Sequence, residues 1–335
     1  MARLIVIIII AVAVMGGVVF AFREPIGCFF YLRSSHESQI AFFRDDGVYV
    51  MEPDGSNQCR ILEDNYYLEL GCSHDGQQLA LFNLDGNLYT AQPNGSELRQ
   101  IVSATNTEDR MKPTWSPDGT EIAYVRNADA AGVYVVDVVS GNELRITQEL
   151  SAQFPIWSPV EDWIAFVTED NGLYVVRADG SELTRLSDAA LFDDPPSWSP
   201  DGDHIAFMNM DYEISLVEPT GTDEEVITNF HDDYDGQVFF VTWSPVGDQI
   251  GAEVIRHSPF RTNLFVIDVA TGETRSLTPR EENISFAEWT PDGAQLLYTQ
   301  IDIQGQVESA LYRVNVASGL IERLAPGSEA SARLE

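Results

Sequence analysis

Apolar residues along most of this chain come in short bursts, each bounded by Gly, Pro, Asp, Asn or Ser. Bursts of this length between turn formers predict β-strands. The bursts recur as a phrase. Trp115-Ser116-Pro117-Asp118-Gly119 precedes Ile122-Ala123-Tyr124, and Trp157-Ser158-Pro159 precedes Ile164-Ala165-Phe166. Trp198-Ser199-Pro200-Asp201-Gly202 with Ile205-Ala206-Phe207, Trp243-Ser244-Pro245, and Trp289-Thr290-Pro291-Asp292-Gly293 continue it. Cys72-Ser73-His74-Asp75-Gly76 with Leu79-Ala80-Leu81 is a degenerate earlier copy, and Ile40-Ala41-Phe42 marks a first one.

Each copy has a second half, such as Gly132-Val133-Tyr134-Val135-Val136 with Ser140-Gly141, or Leu173-Tyr174-Val175-Val176 with Asp179-Gly180. Four strands per repeat follow: A ends at the Trp, B is Ile-Ala-Phe, C is Leu-Tyr-Val-Val and D ends at Leu-Thr. Pro fixes φ in the A–B turn and Gly closes it, while Asp-Gly and Ser-Gly are hairpin signals between C and D. From position 72 to 289 the Trp positions recur every 41–46 residues, the length of one four-stranded propeller blade. Strands B and C are apolar on both faces, as sandwiched blades require. The alanine of Ile-Ala-Phe is expected to leave room for a bulky neighbour from the next blade. The fold class is therefore all-β, a propeller of four-stranded blades. Seven B–C–D sets are present, with Cys28 to Tyr31 supplying the first A strand; six blades is the alternative count.

The phrase Trp-Ser-Pro-Asp-Gly-x-x-Ile-Ala-Phe, then Leu-Tyr-Val-Val and Asp-Gly, resembles the WD40-like PD40 repeat of TolB-type propellers over about residues 28–325. The resemblance implies an extracytoplasmic propeller used for protein contacts. TolB itself has six blades and a preceding small α/β domain, so its partners are not carried over. Related propellers gate prolyl-oligopeptidase-like enzymes, which need an α/β-hydrolase domain with a G-x-S-x-G elbow. No such motif is expected to act here.

The uncharged run from Leu4 to Phe22 stands apart from the repeats. Its 19 residues would span about 28 Å as a helix, close to the hydrocarbon thickness of a bilayer. Length favours a retained N-terminal membrane anchor over residues 1–22. The alternative is cleavage after Val19-Phe20-Ala21, leaving a secreted or periplasmic protein. Ile26-Gly27-Cys28 only faintly matches a lipoprotein box, since Arg23 and Glu24 intervene. Residues 23–27 read as a linker and 326–335 as a tail.

Asp and Glu number 53 against 19 Lys and Arg, giving a net charge of −34. Such a surface repels nucleic acid and anionic headgroups, which excludes both as partners of the folded domain. Five acidic pairs fall in D–A loops, on the face where propeller loops converge. The ligand-binding candidates are Asp109, Asp194, Asp233, Asp235 and Glu282, expected to attract a basic or polar partner. No catalytic residue, cofactor or metal site is indicated, and a monomer is expected. Asp233-x-Asp235-Gly236 resembles part of a calcium loop but lacks its first and last carboxylates, leaving Ca²⁺ at Asp233 and Asp235 as the one ion worth testing. The alternative function is a carbohydrate-active or lyase-type propeller enzyme with paired carboxylates in the central channel. Cys28, Cys59 and Cys72 have no metal spacing, and each is expected to stand alone as a small buried residue unless the compartment is oxidising.

Overall fold

A computed structural model describes residues 29–326 apart from 33–36, 45–46, 64–66, 104–112, 127–130, 149–150, 193, 231–233, 235, 258–259, 280–283 and 301–309. Every sheet has four strands in sequence order, and there are seven among the described residues. They form blades 1 (29–63), 2 (67–102), 3 (114–145), 4 (152–187), 5 (197–226), 6 (236–276) and 7 (284–326). All pairings are antiparallel, so A–B and C–D turns share one end of the ring while B–C and D–A loops share the other. First strands of neighbouring blades touch, which sets them around the axis. Among the described residues no helix is long and apolar enough to cross a membrane; the run 4–22 lies outside them.

There is no single core. Seven apolar clusters each lie between two successive blades, and the seventh joins Ile40, Phe42 and Met51 of blade 1 to Leu297, Leu311 and Leu324 of blade 7. Those last contacts close the ring. A fully buried side chain of this kind is worth about 1.5–3 kcal/mol, and a lone blade would leave both of its faces in water.

The interfaces share one rule of size. Ile122 faces blade 2 and Ala123 faces blade 4, where Trp157 fills the space over it. Ala80 faces Trp115, Ala165 faces Trp198 and Ala206 faces Trp243 in the same way. In blade 6 the position is Gly251, whose absent Cβ would sit 3.3 Å from the Trp289 indole nitrogen. Blade 1 brings Phe29 instead of tryptophan to this register, and the facing residue in blade 7 grows to Leu297. Three tryptophans also donate their indole N–H to the preceding blade: Trp115 to the Gly71 carbonyl at 3.2 Å, Trp198 to Ile156 at 3.0 Å and Trp289 to Thr242 at 3.0 Å. Trp243 turns instead to Gly247 of its own turn at 3.2 Å.

Turns tie blades together as well. Gly55 and Gly95 hold φ near +80° in C–D turns, and a Cβ would lie 2.4 Å from Leu324 O and 2.0 Å from Ile61 O of the preceding blade. Only glycine allows both the conformation and the approach. Arg275 donates to Val316 O at 2.6 Å and Arg313 to Pro53 O at 2.9 Å, the latter across the ring closure. Outer strands are short, at two to six residues, and several carry arginine, which blunts their exposed edges.

In the A–B turns, Ser116 Oγ donates to Asp118 at 2.8 Å and accepts from Glu121 N at 3.0 Å. Ser199 with Asp201 and Thr290 with Asp292 repeat the arrangement. These hydroxyl bonds, led by Thr120, Ser199 and Thr290 respectively, hold the Asp118, Asp201 and Asp292 carboxyls below their ordinary pKa. The Ser-Pro-Asp-Gly phrase is thus a buttressed turn. Two cysteines depart from expectation: Cys59 is exposed and free, because it heads an outer strand, and Cys72 is in a disulfide.

Two outcomes follow. Ala165→Leu should destabilise by about 1–3 kcal/mol through overpacking against Trp198. Adding Trp198→Phe, which makes room at the same contact, should recover part of that loss in a denaturant double-mutant cycle. A depressed carboxylate pKa stabilises above the unfolded value and loses that contribution as pH falls through the folded one. Replacing Asp118, Asp201 and Asp292 together by Ala should therefore lower the melting temperature at pH 7. The difference from wild type should narrow as pH falls from the ordinary carboxylate range through the depressed folded values.

Candidate functional site

The B–C turns and D–A loops form the candidate face. Its turns begin on buried polar residues: Asn83, Thr168 and Asn209 in blades 2, 4 and 5. Asn209 Oδ1 accepts from Asp211 N at 2.9 Å and Glu213 N at 3.1 Å, while its Nδ2 donates to Ser215 at 2.9 Å. Asn83 Oδ1 accepts from Asn87 N at 3.0 Å. Asp85, Glu169 and Asp211 stand exposed at the tips.

Loops from neighbouring blades interlock here. In the connection leaving blade 4, Ala190 N donates to Asn171 O at 3.0 Å and Leu191 N to Met208 O at 2.9 Å. Met210 N returns a bond to Ala189 O at 2.8 Å. Arg185 neutralises Asp170 at 3.2 Å and Asp188 at 2.6 Å while lying over the Tyr174 ring. Elsewhere Arg177 meets Glu161 at 3.2 Å and sits 3.9 Å over Trp163. Arg126 pairs with Glu143 beside Tyr134. Arg185 thus balances two acids of this face, whereas Arg126 and Arg177 are engaged within their own blades.

One position in the repeat changes character around the ring. The residue before the first buried aliphatic of the B-paired part of strand C (Val48, Leu88, Val133, Leu173, Ile214, Leu264) is Gly47, Gly132 or Gly172 in blades 1, 3 and 4, Asn87 in blade 2, Glu213 in blade 5 and Asn263 in blade 6. Glu213 is buried, and its Oε2 accepts from the Thr228 hydroxyl at 2.5 Å and from Phe230 N at 2.9 Å. Asn263, equally buried, donates to Pro279 O at 2.6 Å. Each reaches across the end of strand D to hold the root of the next D–A loop. The loops so held begin at 227 and 277 and carry Asp233, Asp235 and Glu282 in sequence. Val238 N also bonds Tyr212 O at 3.0 Å, fixing the far end of the first loop. Sequence reasoning missed both residues; the signal was a side chain where three sister repeats have glycine.

Of the candidates read from sequence, Asp194 is described, and it is buried within the connection leaving blade 4. Asp109, Asp233, Asp235 and Glu282 lie outside the described residues, as does His231. Among the described residues, no three His, Cys, Asp or Glu side chains come close enough to share a metal ion. On the opposite end, burial raises the Glu121 carboxyl, helped by the charges of Asp118 and Asp137. Burial and the Glu143 bond raise the Tyr124 hydroxyl. Both groups sit on strand B of blade 3.

Residues 86–212 match the PD40 family, described as the TolB beta propeller domain. A Tol-Pal system protein TolB of Novosphingobium aromaticivorans is 34% identical over 86 residues, 24% of this chain and 18% of that protein. An uncharacterised peptidase, YuxL, of Bacillus subtilis is 26% identical over 220 residues, 61% of this chain and 30% of that protein. The chain thus spans less than a third of the curated relatives it matches. Among solved structures, TolB of Acinetobacter baumannii superposes with TM-score 0.54 at 18% identity, covering 87% of this chain and 80% of that one. An oligogalacturonate lyase in complex with manganese gives 0.66 at 13%, covering 86% and 95%. A prolyl endopeptidase gives 0.66 at 12%, covering 88% of this chain and 49% of its own. All three superpositions show the fold alone, and the family match covers one segment: residues 86–212 match the TolB beta propeller domain, within a chain that folds as a seven-bladed β-propeller.

Proposed function

We propose that this propeller is a non-enzymatic, extracytoplasmic binding platform that takes a basic or polar segment of a partner protein on its acidic loop face. The observation that carries the reading is the pair of clamps, Glu213 and Asn263, which fix the roots of two acid-bearing loops in neighbouring blades. Fixing the root of a loop reduces the conformations it must give up on binding, which lowers the entropy cost. The net charge of −34 supplies long-range attraction for a basic segment. The apolar run 4–22 would tether the ring to the membrane with the propeller outside the cytoplasm. Asp109, Asp233, Asp235 and Glu282 are the carboxylates we assign to the mouth, the buried Asp194 being set aside, and Ca²⁺ bridging Asp233 and Asp235 would be a local variation on it.

The competing reading is a propeller lyase, favoured by the near-complete superposition on the oligogalacturonate lyase. Unsaturated products from oligogalacturonate in the presence of manganese would establish it and displace the binding reading.

A lysine-rich peptide titrated against the full-length protein in detergent tests the platform. Neutralising Asp109, Asp233, Asp235 and Glu282 to the amides should weaken binding roughly 3–10-fold, an effect lost at high salt. Neutralising Asp179, Asp201 and Asp203, on turns of the opposite end, should change it little. Glu213→Ala should weaken binding as well, and Glu213→Gln, which keeps both hydrogen bonds, should restore it. Equal loss from either end of the ring would reduce the attraction to overall charge and contradict the assignment.

A further inference from the structure

We propose that Cys28 is the disulfide partner of Cys72, and that this bond replaces, between blades 1 and 2, the indole latch used elsewhere in the ring. Three cysteines occur in the chain. Cys72 is disulfide-bonded, whereas Cys59 is exposed and free. Counting alone leaves Cys28.

Strand register points independently to the same pair. Ile122 pairs with Trp115, Ile205 with Trp198 and Ile250 with Trp243. The equivalent pairs are Leu79 with Cys72 in blade 2 and Ile40 with Phe29 in blade 1. Cys72 therefore stands in blade 2's tryptophan position, and Cys28 stands one residue before blade 1's. Elsewhere in the ring these two positions meet across the interface. Trp115, Trp198 and Trp289 each donate to the carbonyl of the residue preceding the tryptophan position in the previous blade. Between blades 5 and 6 the preceding residue uses its side chain: Ser197 Oγ accepts from Trp243 N at 2.9 Å. A cysteine in place of Ser197 would thus lie against the residue that Cys72 replaces. Cys72 itself packs against the cluster shared by blades 1 and 2.

Bond formation joins the two sulfurs and releases two protons and two electrons. The oxidant is a thiol–disulfide oxidoreductase in its disulfide form: one thiolate attacks it, displacing its first thiolate. The second cysteine then attacks the mixed disulfide, releasing the second, so the oxidant leaves reduced. Such a bond persists in an oxidising compartment, and it forbids lipidation of the Cys28 sulfur. The inference does not rest on the binding reading above, since neither cysteine lies on the acidic loops.

Full-length protein trapped with an alkylating agent as it is taken from its host, then digested without reduction, tests the pairing. One alkylated thiol before reduction and three after, with a linked peptide holding Cys28 and Cys72, is the expected result. Cys28→Ser and Cys72→Ser should each lower the melting temperature by the same amount, roughly 4–10 °C. The double variant should lose no more, and Cys59→Ser should change nothing. Three alkylatable thiols in the trapped protein, a lipid thioether on Cys28, or additive losses from the two serines would overturn it. If Cys72→Ser does not fold, the trapped peptide and Cys28→Ser decide the matter alone.

Discussion

The structure depends on one constraint: each blade has two apolar faces and no means of burying either by itself. Everything periodic in the chain serves the meeting of one blade with the next. A large residue at the end of strand A presses on a small one in strand B of the preceding blade, and the pair changes size together. Ala165 meets Trp198, Gly251 meets Trp289, and Leu297 meets the blade that brings phenylalanine. Indole bonds, arginine clasps and glycine contacts then fix the rotation between blades. Because apolar burial is non-directional, these polar contacts are what define a specific angle.

That division of labour leaves one end of the ring free to vary. The A–B and C–D turns are buttressed by their own Ser, Thr and Asp, and their shifted carboxyls reflect those bonds. The B–C and D–A end carries differences between blades: tight turns in some, clamped loops in others. A scaffold of repeated interfaces with a variable loop end is a general route to binding surfaces, and fold alone does not choose among them. Here the departures concentrate where Glu213 and Asn263 replace glycine.

Most of the fold was legible in the sequence because its causes are local. Trp-Ser-Pro-Asp-Gly and Ile-Ala-Phe specify a turn and a doubly buried strand, and both recur often enough to count blades. The alanine next to each buried Ile announced its bulky neighbour. Features that depend on alignment between unequal repeats were not legible. Blade 1 needs eleven residues from Phe29 to Ile40 where blade 3 needs seven from Trp115 to Ile122, so Cys28 did not reveal its relation to Cys72. Glu213 and Asn263 looked like ordinary loop residues until their slot was compared across blades. The acidic clusters were visible at once, but the side chains that hold the neighbouring strand ends were not.

Ring closure is the claim on which the account stands, and removing blade 7 (284–326) tests it most directly. In a closed ring that deletion exposes a face on blade 6 and another on blade 1, including Ile40, Phe42 and Met51. Calorimetry of the shortened chain is then expected to show no cooperative transition, or one at a much lower temperature than the intact protein. A six-blade fragment melting sharply at the original temperature would contradict the account, because its interfaces would then be independent of closure.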